Sequence, residues 1–196
     1  MRKALVLAAI AVALAIANDR LTEKDHSFAI DHLKMSQDLF LESVAGLTPE
    51  QLHFKPAPEV WSVYECAEHI TVSEDLMLEA LRKIAASPAQ AEVKPKATDK
   101  WVLTYGTDRS RKAKAEKPYE PTNRWKSIGE MLAHFNASRQ KTLEFARTMP
   151  DDLRDHLGEG GSLDGYQFLV ILSAHTQRHT LQIEEVKSNP GFPKGR

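Results

Sequence analysis

Residues 173–182 read SAHTQRHTLQ, with two histidines four apart in a stretch patterned as a helix. At roughly 100° per residue, His175 and His179 lie about 40° apart on a helical wheel and one turn apart along the axis. Phe168, Leu172, Ile183 and Val186 share that half of the wheel. Both imidazoles therefore face a hydrophobic core, where each needs a polar partner. The helix carrying them, expected from about Asp164 to Lys187 and ended by NPGFP (189–193), is the last of four.

Hydrophobic periodicity and capping signals place the other three upstream. The first runs from about Leu21 to Ala45, capped at Thr22 or a neighbour, with Leu33, Phe40, Val44 and Leu47 along one side. Thr48, Pro49 and Gln51 then form a capping-box pattern for a short helical turn, which Pro56 and Pro58 stop. The second starts at the cap Ser62, with Glu65 reaching back, and continues to about Ala86 with Ile70, Val72, Leu76, Met77, Ala80, Leu81 and Ile84 on its apolar side. The third repeats the cap with Ser127 and Glu130 and buries Ile128, Met131, Leu132, Phe135, Leu143 and Ala146. Between the second and third lie about forty residues, Ser87 to Lys126, a length uncommon for a compact loop. Trp101, Tyr105, Tyr119 and Trp125 are scattered through this Lys-, Pro- and Ala-rich stretch, which argues that it packs across the bundle. The expected fold is all-α, a four-helix bundle with a long crossover connection between helices 2 and 3.

The chain has 196 residues, 42% hydrophobic and 27% charged, enough for one sizeable core. Its start, MRKALVLAAIAVALAIAND, has two basic residues, an apolar run from Ala4 to Ala17 and a small-residue end. That pattern is a secretory signal peptide over residues 1–17, too short for a membrane span, and leaves one domain over 18–196. The expected location is periplasmic or secreted, with no membrane contact after cleavage. Without Arg2 and Lys3 the chain carries 24 basic and 27 acidic residues, so nothing suggests a nucleic-acid partner. Cys66 is the only cysteine, which excludes an intrachain disulfide and reads as a small core residue. Monomer and homodimer both remain open.

His69, on the second helix, falls inside the apolar half between Cys66 and Ile70 on one flank and Val72 and Leu76 on the other. Three histidines from two helices thus point into one bundle. One core histidine is usually a hydrogen-bonded structural residue; three together are better explained by a divalent metal ion. Three neutral imidazoles leave a coordination position free, as catalytic rather than structural sites do. His32, on the apolar side of the first helix with Ser36, and Arg139, on that of the third, are candidates for a contact behind the ligands or with substrate. Gln182, a turn beyond His179, is placed to orient a bound group. His134 lies at the edge of an apolar face, and His26, His53 and His156 read as exposed or loop residues. The residue after His175 is threonine, so the H-E-x-x-H protease motif is excluded. EKDH (23–26) and EQLH (50–53) match the E-x-x-H of di-iron bundles by letter only, at a helix start and in a turn.

With those residues in hand, the chain resembles the DinB/YfiT-like family of four-helix metalloproteins. LTPEQLHFKPAPEVWSVYECAEHI (47–70) is similar to the family's loop and second helix, and SAHTQRHTLQIEEV (173–186) to its last helix. Carried over position by position, the family's metal triad falls on His69, His175 and His179. The resemblance implies zinc or nickel as the ion and a small-molecule substrate of unknown identity. Its characterised members include thiol-dependent S-transferases and a maleylpyruvate isomerase, while many others are described as metal-dependent hydrolases. An export signal removes the chain from cytosolic thiols and puts hydrolysis slightly ahead. The expected function is a metal-dependent hydrolase or thiol-dependent transferase with no assigned general base. A non-catalytic metal-binding or stress-related protein of the same fold is the alternative.

Overall fold

The computed structural model describes residues 20–194. The expected leader, residues 1–17, lies outside them. Six α-helices form among the described residues: α1 Glu23–Val44, α2 Pro49–His53, α3 Val63–Ala85, α4 Asp99–Thr107, α5 Ile128–Thr148 and α6 Gly165–Lys187. The start of each long helix follows from its cap. Thr22, Ser62 and Asp164 close reciprocal capping boxes with Asp25, Glu65 and Gln167, and the hydroxyl of Ser127 accepts from the backbone N–H of Glu130. These contacts satisfy N–H groups that the first helical turn leaves without partners.

In the four-helix bundle, α1 and α3 each pack against both α5 and α6. The interior divides into two apolar clusters. One gathers Leu33, Leu81, Leu143, Leu169 and Leu172; the other gathers Phe40, Cys66, Ile70, Met131, Phe135 and Ile183. Along α1 and α6 the chain passes from the first cluster to the second, and along α3 and α5 from the second to the first. So α3 and α5 run parallel, and the chain must return along the bundle's length, roughly 34 Å for a helix the size of α3, before α5 can begin. That return is the physical reason for the long connection.

The connection is more ordered than a loop. It contains α4, which the sequence reading leaves within the crossover, and α4 packs on α6. The contact is made by Val102 and Gly106, both buried. A Cβ on Gly106 would sit 2.7 Å from the Cβ of Ala174, so the close approach requires glycine. The crossover therefore does pack on the bundle, but not through all four aromatics. Trp101 and Tyr105 are 47% and 45% exposed and stack on each other, because α4 turns its small residues inward.

Between the two apolar clusters runs a polar layer. Arg139 is fully buried and pairs with Glu74 through two bonds of 2.9 and 2.7 Å. Its remaining N–H groups reach the Leu33 carbonyl, Ser36 and Thr176, and Thr142 donates to Glu74. Such a charge is tolerable in a core only when every donor and acceptor is satisfied. No helix among the described residues is long and apolar enough to cross a membrane.

Candidate metal centre

α3 carries His69 and α6 carries His175 and His179; Thr176, between the two α6 histidines, belongs to this polar layer. The His69 Nε2 lies 3.2 Å from His175 Nε2 and 3.1 Å from His179 Nε2. Among the described residues these three form the group able to hold a metal ion, one ligand atom from each.

The tautomers are fixed from behind. The His69 Nδ1–H donates to the main-chain oxygen of Tyr119 at 2.7 Å, and the His179 Nδ1–H donates to Gln182 Oε1 at 2.9 Å. With Nδ1 protonated, each neutral ring presents an Nε2 lone pair to the other. Two lone pairs 3.1 Å apart repel unless a cation lies between them. The spacing also fits one: imidazoles about 2.05 Å from a tetrahedral ion have nitrogens about 3.3 Å apart. The donor set therefore fits a divalent metal.

A proton is a poor substitute for that cation. Burial holds His69 below the ordinary imidazole range. Burial and the neighbouring His175 and His69 hold His179 well below it. Burial, with His69 and Arg178 nearby, brings His175 down to about 3. His69 and His179 are buried and His175 is half-buried.

Trp61 packs against the group, its ring 4.9 Å from that of His69 and 6.3 Å from that of His179. It sits immediately before the Ser62 cap, the position of a hydrophobic staple, which is the sequence signal that could have found it. Glu68 had no such signal, since a helical glutamate reads as solvated. Its carboxylate is fully buried and accepts from the backbone N–H groups of Thr122, Asn123 and Arg124 and from the Arg124 guanidinium. Tyr64, one turn earlier, donates to the Trp125 carbonyl. Asn123 adopts φ 60°, the left-handed conformation that lets consecutive N–H groups converge on one acceptor. These bonds clamp the segment whose Tyr119 oxygen holds His69.

The remaining sequence candidates are placed as follows. Gln182 touches the triad directly. Arg139 bonds the Thr176 hydroxyl, one residue from His175. His32 bonds Ser173 through Nδ1 and stacks on Phe28, outside the triad; burial and the charge of Arg139 lower its pKa. Cys66 is buried and its thiol is pushed up by burial, which fits a core residue. His156 is in a loop but not exposed. It is 9% accessible, with Nδ1 bonded to the Ser87 carbonyl.

A helical bundle with three histidines converging from two helices defines a class, the bundle proteins built around a histidine-lined centre. The chain belongs to the DinB superfamily, whose family model matches residues 32–183. It is also 24% identical over 151 residues to "Uncharacterized protein YuaE" of Bacillus subtilis (strain 168), covering 72% of this chain and 86% of that one. No solved structure matches.

Proposed function

We propose that the protein is an exported metal-dependent enzyme, with His69, His175 and His179 holding one divalent ion, zinc or nickel, and hydrolysis as the leading reaction class. The observation that carries this reading is the convergence of three neutral imidazoles on one point through their Nε2 atoms, with no fourth protein ligand among the described residues. An ion held by three neutral imidazoles supplies Lewis acidity, lowering the pKa of a bound water or thiol toward neutrality.

The chain's own residues account for the rest. The Tyr119 carbonyl and Gln182 keep the Nε2 lone pairs of His69 and His179 aimed inward. Trp61 packs its ring against those of His69 and His179, and half-buried His175 is the ligand of the three through which a small-molecule substrate would reach the group. Thiol-dependent S-transfer uses the same centre; the leader favours hydrolysis because exported proteins meet fewer thiols.

The experiment is turnover of an ester, amide and thiol-transfer panel by metal-loaded protein across pH. Hydrolysis lost in His175→Ala supports the reading. A loaded protein with no turnover on any arm supports a non-catalytic metal-binding role instead.

A further inference from the structure

We propose that the outer face of α4 and the basic segment after it, residues 109–117, dock peripherally on an anionic lipid bilayer. The inference does not depend on the metal centre.

The segment reads RSRKAKAEK, five cations against one anion, in a chain whose totals are 26 basic and 27 acidic residues. Arg111, Lys112, Lys114 and Lys117 are exposed, and the three lysines make no ion pair among the described residues. The segment is held rather than trailing. Arg178 donates to the carbonyls of Asp108 and Arg111, and Arg109 pairs with Glu185 through bonds of 3.1 and 2.9 Å.

Beside these charges stand the exposed rings of Trp101 and Tyr105, 4.4 Å apart and nearly parallel at 11°. The Arg111 guanidinium lies 5.8 Å over the Tyr105 ring and joins the two features into one surface. Tryptophan and tyrosine settle at the headgroup level of a bilayer, and clusters of four to eight Lys and Arg are drawn to anionic headgroups. Neither ring lines the cavities of about 480 and 290 Å³ beside Arg154 and Tyr166. Single-stranded nucleic acid is the weaker match. It calls for a groove that tracks a backbone and for rings free to stack on bases, whereas Trp101 and Tyr105 stack on each other. The expected leader would also bring the chain to a membrane during export.

The test is sedimentation of the full chain with vesicles of phosphatidylcholine alone and of phosphatidylcholine mixed with phosphatidylglycerol. The leader, with Arg2 and Lys3, is common to every sample, so the difference in anionic preference between the parent and the patch variants reads the patch. The parent should prefer the mixture, and salt should erase the preference. Each adjacent cation gives about a fivefold gain, so Lys112→Gln/Lys114→Gln/Lys117→Gln should lose on the order of a hundredfold of it. Trp101→Ala/Tyr105→Ala should weaken binding while leaving the melting temperature unchanged, because both rings are solvent-facing. Equal partition onto both vesicles, a preference insensitive to salt or to these substitutions, or tighter binding to a single-stranded oligonucleotide than to the anionic vesicles would overturn the proposal. Lys112, Lys114 and Lys117 are exposed and hold no ion pair among the described residues, so the lysine variant keeps the parent's fold and the comparison stays readable.

Discussion

The His69 Nδ1–H and the main-chain oxygen of Tyr119, fifty positions apart in sequence, are joined by a 2.7 Å hydrogen bond. That bond makes the crossover part of the centre. The ring orientation of a ligand on α3 depends on a segment between α4 and α5, and that segment depends on the buried Glu68 carboxylate.

Glu68→Gln tests this dependence. An amide replaces one acceptor oxygen with an N–H₂ group facing backbone donors, so the clamp loosens and the Tyr119 oxygen drifts from His69. Metal affinity, measured by competition with a chromophoric chelator, should fall 10- to 100-fold, the usual cost of losing support behind a ligand. Unchanged affinity in a folded variant would mean that the clamp does not orient His69.

Gly106→Ala tests how the crossover is docked. Its methyl would meet Ala174 Cβ at 2.7 Å and Ile171 Cδ1 at 2.9 Å, so α4 must move off α6. Overpacking of this kind costs about 1–3 kcal/mol. Denaturant melts should show that loss, and limited proteolysis should cut faster in residues 108–116. Parent-like stability with parent-like proteolysis would show that the approach is not tight.

The bundle was legible because its signals are local. Ser62 with Glu65, Ser127, and Asp164 mark helix starts in the sequence, and the structure begins α3, α5 and α6 immediately after them. His69, His175 and His179 were legible because helical period alone puts them on apolar faces. Nine-residue α4 was not, since it buries only Val102 and Gly106 and lies among lysines and prolines. Its aromatics pointed the wrong way for the same reason: bulk suggests burial, but close helix packing selected the glycine. Glu68 and Glu74 were invisible because their partners are distant. The first is satisfied by loop backbone more than fifty residues on, and the second by Arg139. Sequence placed Arg139 on an apolar face but could not say what neutralised it.

The pH dependence of the metal-free protein has a definite sign. In the unfolded chain each histidine titrates near 6.5. Burial holds all three of the triad lower in the folded protein, His175 at about 3. Between those values the unfolded chain binds protons that the folded one does not. Stability is therefore fully present above about pH 6.5 and lost as pH falls toward about 3. Denaturant melts at a series of pH values should show this decline, and His175→Phe should make it shallower. A slope of the opposite sign, or one identical in the variant, would contradict the burial of an unprotonated imidazole.

The central claim, that three side chains act as one metal-binding unit, is tested most directly by the metal content of purified protein after loading with zinc or nickel and desalting. The parent should retain one ion per chain. His69→Ala, His175→Ala and His179→Ala should each lose most of it, because two imidazoles make a weak site, while His53→Ala should match the parent. A parent that retains neither ion, or three variants that bind as well as the parent, would contradict the account.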